Sequence, residues 1–512
     1  MSDVDVRAGE SEAWGEADVI DRLRELFAIA LNIRVPADDT DLLGSGLLDS
    51  LGLVELLFHV EQTFGLTIEL DELDVENFRS LRTIAAIVAA RRRATSGQLP
   101  RWPAEPAPSS TARRLVVTAG PASSHASTSE RDSHGAAGVS GIRVLRRDDA
   151  PAVAALYERV MRSGSATPPP RLAPYFVRTF LEQPWGDEAV PSLVYVDEDD
   201  RIVGCIGAME HRLRFDDRPI RMVASGPLIS EPEARPGAVG ALLLRRLMMG
   251  PQDVTITDAA SDTVRRIWER FGGETLHLSS IRWTRLFRPA QCVAEHFLER
   301  AQRNGARRVL RPLGAIARPV LRAADSAVTR IPRNPFATRT PDSIDEPLTP
   351  RAMLEELPVI ARSLRLRPDY DERFLEWLFR ELRDVRSRGK LDAVLVRGRD
   401  GRVLGWFVCF IRPTGLGTVL QVVARDDGAG TVIDHLFHYA RTAGARGLIG
   451  RLEPRLVAPL ASRGCTLFNT GKMFALIYSR IPGLVDVVRS GQALLTWMDG
   501  ESGFGHWSEA FT

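Results

Sequence analysis

Cysteine is scarce in this chain. Its four residues among 512, Cys205, Cys292, Cys409 and Cys465, lie far apart and in apolar stretches. That spacing leaves no disulfide framework and no zinc-ligand set, and it predicts reduced core thiols in a cytoplasmic protein. No apolar run is long enough to span a bilayer. The N-terminus is polar and acidic, without the apolar stretch of a cleavable signal. Basic motifs interleaved with aromatics are missing too, so nucleic acid is not expected as a partner. At 512 residues the chain is expected to hold about three domains of ordinary size.

The overall charge of +1 hides a sharp asymmetry. Residues 16–76 carry fifteen Asp and Glu against Arg22, Arg24 and Arg34 and no Lys, a net of −12. Residues 77–512 are +16. An acidic module tethered to a basic remainder predicts electrostatic docking between the two.

Within the acidic module the segment Gly46-Leu47-Leu48-Asp49-Ser50-Leu51-Gly52-Leu53 stands out. Asp49 is a good N-cap residue, and from Leu51 onward Leu53, Val54, Leu56, Leu57, Val60 and Phe64 recur at helical spacing. Ser50 therefore falls at a helix N-terminus, where free N–H groups and the helix dipole favour an added phosphate. Further helical patterns run from Val19 to Leu31 and from Leu81 to Ala90, with a short turn around Glu76 to Phe78. Asp-Ser-Leu in a small acidic bundle resembles the acyl and peptidyl carrier proteins, over residues 16–94. The resemblance implies that Ser50 carries 4′-phosphopantetheine, added by a separate phosphopantetheinyl transferase.

Residues 95–140 are rich in Pro, Ala, Ser, Thr and Gly and read as a flexible linker after the carrier. Its reach, on the order of 35–40 Å, would let the carrier visit a neighbouring pocket.

Beyond the linker one pattern occurs twice. In the first copy, strand Ile142 to Leu145 leads to helices from Ala150 and around Tyr175, then to strands at Leu193, Ile202 and Arg221. The loop Arg235-Pro236-Gly237-Ala238-Val239-Gly240 opens a helix, followed by strand Val254 to Thr257 and helix Thr263 to Phe271. The second copy repeats this order, with helices at Ala352 and Glu372 and strands at Ala393, Val403 and Val419. Its loop is Arg425-Asp426-Asp427-Gly428-Ala429-Gly430, followed by strand Gly447 to Arg451 and helix Leu456 to Arg463. Each copy resembles the GNAT acyltransferase fold, whose Arg/Gln-x-x-Gly-x-Gly/Ala loop binds the pyrophosphate of acyl-CoA. Arg425, Gly428 and Gly430 match that spacing in full; Arg235, Ala238 and Gly240 match it with one departure.

The chemistry implied by the resemblance is acyl transfer to an amine, which needs a base for the nucleophile and a donor for the thioester carbonyl. Glu210 and His211, after the first hairpin strand, are the base candidates, although an exposed ion-pairing role is the plainer expectation for them. Neither copy has the Tyr that the family often uses as acid on the last helix. Asp426 and Asp427 would compete with an anion in the second loop. His435 and His438 lie three apart on one helix, a spacing compatible with a metal, but no third ligand is apparent and no metal is expected. Tyr478 reads as core. Ten Arg face Glu299 and Asp325 over residues 299–339, a segment expected to bridge the two copies.

The expected architecture is thus multidomain. Residues 1–15 are a disordered N-terminus and residues 16–94 a small all-α four-helix carrier bundle. Two α/β (α+β) GNAT-like domains with mixed central sheets follow at 141–289 and 346–505, joined by the basic segment 290–345. The expected function is transfer of an acyl group between the Ser50 arm and a small-molecule amine, the arm being charged by an acyl-loading enzyme. Two alternatives stand beside it: the protein loads its own carrier from acyl-CoA, or it is a non-catalytic carrier scaffold with two degenerate copies.

Overall fold

The structure is a computed structural model. It describes residues 16–29, 31, 33–45, 47–48, 50–66, 75–95, 140–162, 167–231, 238–292, 294, 321, 323, 325, 327, 336–413 and 415–504. All of the linker expected at 95–140 except its two end residues, and most of the Arg-rich segment, lie outside them.

The carrier consists of helices α1 (Glu16–Ile29), α2 (Ser50–Phe64) and α3 (Leu81–Thr95), with a 3₁₀ turn at Val75–Phe78. Each helix buries residues spaced three and four apart: Val19, Leu23, Leu26 and Phe27 in α1, Leu53, Leu56, Leu57 and Val60 in α2, and Leu81, Ile84, Ala85 and Val88 in α3. Ser80 and Thr83 exchange bonds at the start of α3, the Thr83 N–H to the Ser80 hydroxyl (3.2 Å) and the Ser80 N–H to the Thr83 hydroxyl (3.0 Å). They satisfy donors that the first helical turn leaves open.

The remainder forms two mixed sheets, as the doubled pattern predicts. In the first half the elements are β1 (Gly141–Val144), α4 (Ala150–Tyr157), α5 (Leu172–Phe180), β2 (Leu193–Val196), β3 (Ile202–Phe215), β4 (Arg218–Ser230), α6 (Ala238–Met248), β5 (Val254–Ala260), α7 (Asp262–Arg270), β6 (Glu274–Thr275) and β7 (Arg282–Leu286). In the second half they are β8 (Ser343–Pro347), α8 (Pro350–Ile360), β9 (Leu366–Pro368), α9 (Glu372–Arg383), β10 (Lys390–Gly398), β11 (Val403–Ile411), β12 (Leu416–Ala424), α10 (Ala429–Thr442), β13 (Gly447–Arg451), α11 (Val457–Ala461), β14 (Thr466–Phe468), β15 (Phe474–Ser479), α12 (Leu484–Arg489) and α13 (Glu501–Phe504).

Strand order is β1-β2-β3-β4-β5-β15-β6 in the first sheet, with β9 alongside β3, and β14-β7-β13-β12-β11-β10-β8 in the second. The halves therefore exchange a strand. β7, from the first half, pairs antiparallel with β13 of the second sheet, and β15, from the second half, pairs antiparallel with β5 of the first. Burial explains why each crosses over. Trp283 of β7 is enclosed in the core of the second sheet, 6.0 Å from the Phe437 ring of α10, while Leu476 and Ile477 of β15 are enclosed in the first. A contiguous division at residues 289 and 346 does not separate the two sheets.

The cores follow from this layering. α4, α5, α8 and α9 share one apolar cluster between the units. There Trp185 stacks on Phe374 with ring centroids 3.5 Å apart. α10 covers the second sheet. On the opposite face of the first sheet α6 and α7 form a cluster that also contains the carrier's core residues.

Candidate functional site at the fork of the first sheet

Upstream of α2 a tight turn is built on Asp41. Its Oδ1 accepts the Gly44 N–H at 2.8 Å and its Oδ2 accepts Arg79 Nε at 3.1 Å. Burial works against its charge, but these donors hold the Asp41 carboxyl below its ordinary range. A Cβ at Gly44 would lie 2.5 Å from Asp41 Oδ2, so the turn requires glycine. The turn leads to Ser50, whose backbone opens α2 as the sequence predicts; Gly46, Asp49 and the Ser50 side chain lie outside the described residues. A Ser at the first position of a 15-residue helix fits an attached phosphate, because first-turn N–H groups have no helical partner.

The carrier is seated on the first unit. α2 packs on α6 and α7, and the 3₁₀ turn at Val75–Phe78 also meets α6. Arg245 of α6 pairs with Glu61 of α2 and lies over the Phe271 ring, 6.0 Å from its centroid. The Arg245 side chain is only 9% exposed, so the pair is largely shielded from water and salt. α6 is the helix that follows the first glycine loop.

The two loops differ. In the first, Arg235 lies outside the described residues, Ala238 opens α6, and Gly240 lies in the first turn of that helix. In the second loop the side chains are already engaged by protein groups. Arg425 Nε donates to the Val403 carbonyl at 2.7 Å, and Gly428 closes a turn onto the Arg425 carbonyl at 2.9 Å. The Arg463 guanidinium lies over Gly430, where a Cβ would be 2.6 Å from Nη2, and is held by both oxygens of Asp434. Asp427 pairs with Arg402 at 3.2 Å.

Each sheet contains a fork. β4 and β5 pair in parallel only from Met222–Ala224 to Val254–Ile256 and then diverge. β12 and β13 do the same beyond Val419 and Gly450. Diverging parallel strands leave facing N–H and C=O groups that an extended amide-containing chain can pair with.

The second fork is sealed. Trp406 Nε1 donates to Gln421 Oε1 (2.8 Å), Gln421 Nε2 to Thr496 Oγ1 (3.3 Å), and Thr496 Oγ1 to Asp499 (2.7 Å). Tyr370 donates to the other oxygen of Asp499, and Arg455 caps the Val422 carbonyl. Burial pushes Tyr370 well above its ordinary value.

The first fork is different. Glu501 of α13 brings its carboxyl to Gly226 of β4 and accepts the Thr257 hydroxyl of β5 at 3.0 Å. A Cβ at Gly226 would lie 2.4 Å from the Glu501 carboxyl carbon. Burial, with Asp258 adding repulsion, pushes Glu501 up to about 8. Ser502 donates its N–H and hydroxyl to Asp258 Oδ1, both at 3.1 Å. Asp258 and Arg451 are the fifth residues of β5 and β13, corresponding strands of the two sheets, and face each other at 3.6 Å across the boundary. Beside this pair a small cleft is lined by Thr257, Asp258, Ser279, Arg451, Glu453 and Leu476 among others.

Glu210 and His211 lie on β3 and are buried, which corrects the expectation of an exposed ion-pairing role. Burial, with Asp187 nearby, pushes Glu210 up to about 7, and Arg221 at 4.0 Å partly offsets this. β3 pairs with β4 at Glu210–Val223, and Val223 pairs in turn with Thr255, so β4 lies between Glu210 and the fork. The His211 ring packs edge-on to Trp185 (6.1 Å) and Phe374 (5.6 Å), and burial lowers it to about 3. His435 shares a 2.8 Å hydrogen bond with Ser343 and faces Asp345 at 3.6 Å, a tie between α10 and β8. Tyr478 packs in the first sheet opposite Thr255, and all four cysteines are unpaired thiols.

Residues missed by sequence reasoning are Glu501, Asp258 and the pair Glu61–Arg245. Asp258 left a trace, a lone charge inside an apolar strand run; Glu501 lay in a terminal stretch with no periodicity.

Residues 21–89 match the phosphopantetheine attachment site family, and the module is a phosphopantetheine attachment domain. Among solved structures, the chain is similar to GCN5-related N-acetyltransferases of Kribbella flavida and Anabaena variabilis. The first has 14% identity and a TM-score of 0.39 over 66% of this chain and 71% of that one. The second has 10% identity and a TM-score of 0.40 over 66% and 72%. A conserved protein of unknown function from Enterococcus faecalis gives 8% identity and a TM-score of 0.43 over 67% and 72%. A comparison with curated proteins returns no match. Among the described residues no helix is long and apolar enough to cross a membrane.

Proposed function

We propose that the protein is a carrier-fused acyltransferase whose first GNAT-like unit takes the acyl group from its own carrier and passes it to an amine. Ser50 would hold the phosphopantetheine, installed by a phosphopantetheinyl transferase, and the arm when bound supplies an acyl thioester. The reading rests on one observation: α2, which Ser50 opens, is seated on α6 and α7 of the first unit through the Glu61–Arg245 pair and a shared apolar core. A carrier held there keeps its cargo at high effective concentration against that unit. The second unit is proposed as a scaffold, because Arg425 and Arg463 are engaged by protein acceptors and its fork is filled by hydrogen-bonded side chains.

A charge swap tests it. The holo protein, acylated on Ser50 and mixed with an amine panel, is followed by intact-protein mass spectrometry, with Ser50→Ala as the control that acquires no arm. Arg245→Glu is expected to slow loss of the acyl mass at least tenfold, since a like charge then faces Glu61 across a shielded contact. Adding Glu61→Arg should restore most of the rate. No acyl loss in the parent protein with any amine would overturn the proposal. If the arm gains acyl mass from acyl-CoA alone, the unit is instead a loader of its own carrier.

A further inference from the structure

We infer that Glu501, carried into the first fork by α13, is the proton acceptor for the incoming amine, in place of Glu210 and His211. The inference rests on the reading above and names the group that completes it.

The geometry has three parts. The Glu501 carboxyl reaches the point where β4 and β5 diverge, against the unsubstituted Cα of Gly226. Thr257 orients it with a 3.0 Å bond from the neighbouring strand. Ser502 anchors its helix to Asp258, and Arg388 Nη1 donates to the Ser502 carbonyl at 3.3 Å. A carboxylate so held, where two parallel strands part, can take a proton from an amine attacking the carbonyl carbon of an acyl thioester brought there. The C–N bond forms as the C–S bond breaks. The amine proton passes to Glu501, and the departing thiolate keeps the C–S electron pair and regains a proton from Glu501.

The surroundings suit a base that works near neutrality. Asp258 is the charge that acts on Glu501, and Arg451 and Arg282 in turn moderate Asp258. Asp499 is tied to Thr496 and Tyr370, Glu381 of α9 to Arg178, and Arg221 of β4 to Asp187. Burial is the main cause of the raised proton affinity of Glu501, Asp258 adds to it, and the Thr257 hydrogen bond opposes it.

Two readouts test the inference on the full-length holo protein. The first is single-turnover transfer to an O-alkyl hydroxylamine, whose nitrogen is already free base at neutral pH, so that any pH limb belongs to the protein. The parent is expected to gain rate up to about pH 8; Glu501→Gln should be flat and roughly 10²–10³-fold slower. Glu210→Gln should keep the limb. The second readout needs no turnover. A carboxyl raised from 4.5 to about 8 in the folded state makes the native protein bind more protons than the unfolded chain between those values. Stability therefore falls as pH rises through that window, and Glu501→Gln should lessen the fall in melting temperature. Should Glu501→Gln fail to fold, Thr257→Val serves instead: losing a bond to the ionised form moves the limb to higher pH. Transfer with an unaltered limb in Glu501→Gln overturns this inference alone. Absence of transfer in the parent overturns the proposed function, and the base assignment with it.

Discussion

The two halves share one topology, yet their forks have opposite characters. In the second unit the space between β12 and β13 is closed by Trp406, Gln421, Tyr370, Thr496 and Asp499, each hydrogen-bonded to a neighbour in the set. In the first, the corresponding space receives one titratable carboxyl against a glycine. The second loop has the complete glycine spacing and is internally satisfied, whereas the first has a departure in spacing and a carrier seated on its helix. A matching spacing does not by itself leave a loop open to an anion; that depends on which side chains already hold its donors.

The largest effect that would break this comparison concerns the exchanged strands. Residues 16–341 expressed alone lack β15 and expose the β5 edge inside a core; residues 342–512 alone lack β7 beside β13. Neither half is expected to give a cooperative thermal transition, and co-expression should return a complex that survives size-exclusion chromatography. Two soluble, independently folded halves would contradict the exchange.

The next effect is a pair of glycine substitutions. Gly226 has φ +151° and no room for a Cβ beside Glu501, so Gly226→Ala should cost roughly 1–3 kcal/mol and slow transfer at least tenfold. Gly430 lies in a helix, and its nearest obstacle is the flexible end of Arg463. Gly430→Ala should leave transfer kinetics unaltered and shift stability by about 1 kcal/mol or less. Equal losses in both would remove the assignment of the first unit as the active one.

A smaller effect sharpens the contrast in the second fork. Tyr370→Phe removes a donor from the buried Asp499 and should cost about 1–3 kcal/mol by urea unfolding. Transfer rates should stay within twofold, because the network closes a scaffold.

Much of the framework was legible along the chain. Leu53, Leu56, Leu57 and Val60 mark α2 by spacing alone, and Ser50 follows from that helix's start. Strands Leu193–Val196 and Gly447–Arg451 have the same limits in the sequence pattern and in the structure, each too short for a helix and bounded by turn residues. The destination of β7 and β15 was not legible, since alternation says which face of a strand is buried and nothing about which sheet receives it. Exposure was misjudged at Glu210 and His211, because a charge beside a hairpin is ordinarily solvated and only the wrapping segment with Trp185 and Asp187 encloses these two.

The sequence by itself determined the acidic carrier, its serine at a helix start and the doubled α/β pattern, all encoded in local periodicity and in charge counts that folding does not alter. Tertiary structure decided the strand exchange, the seating of α2 on α6 and α7, and the meeting of Gly226, Thr257 and Glu501. Those residues are separated by up to 275 positions, and no local preference relates them. Their proximity exists only because two sheets trade strands and α13 returns to the fork of the first.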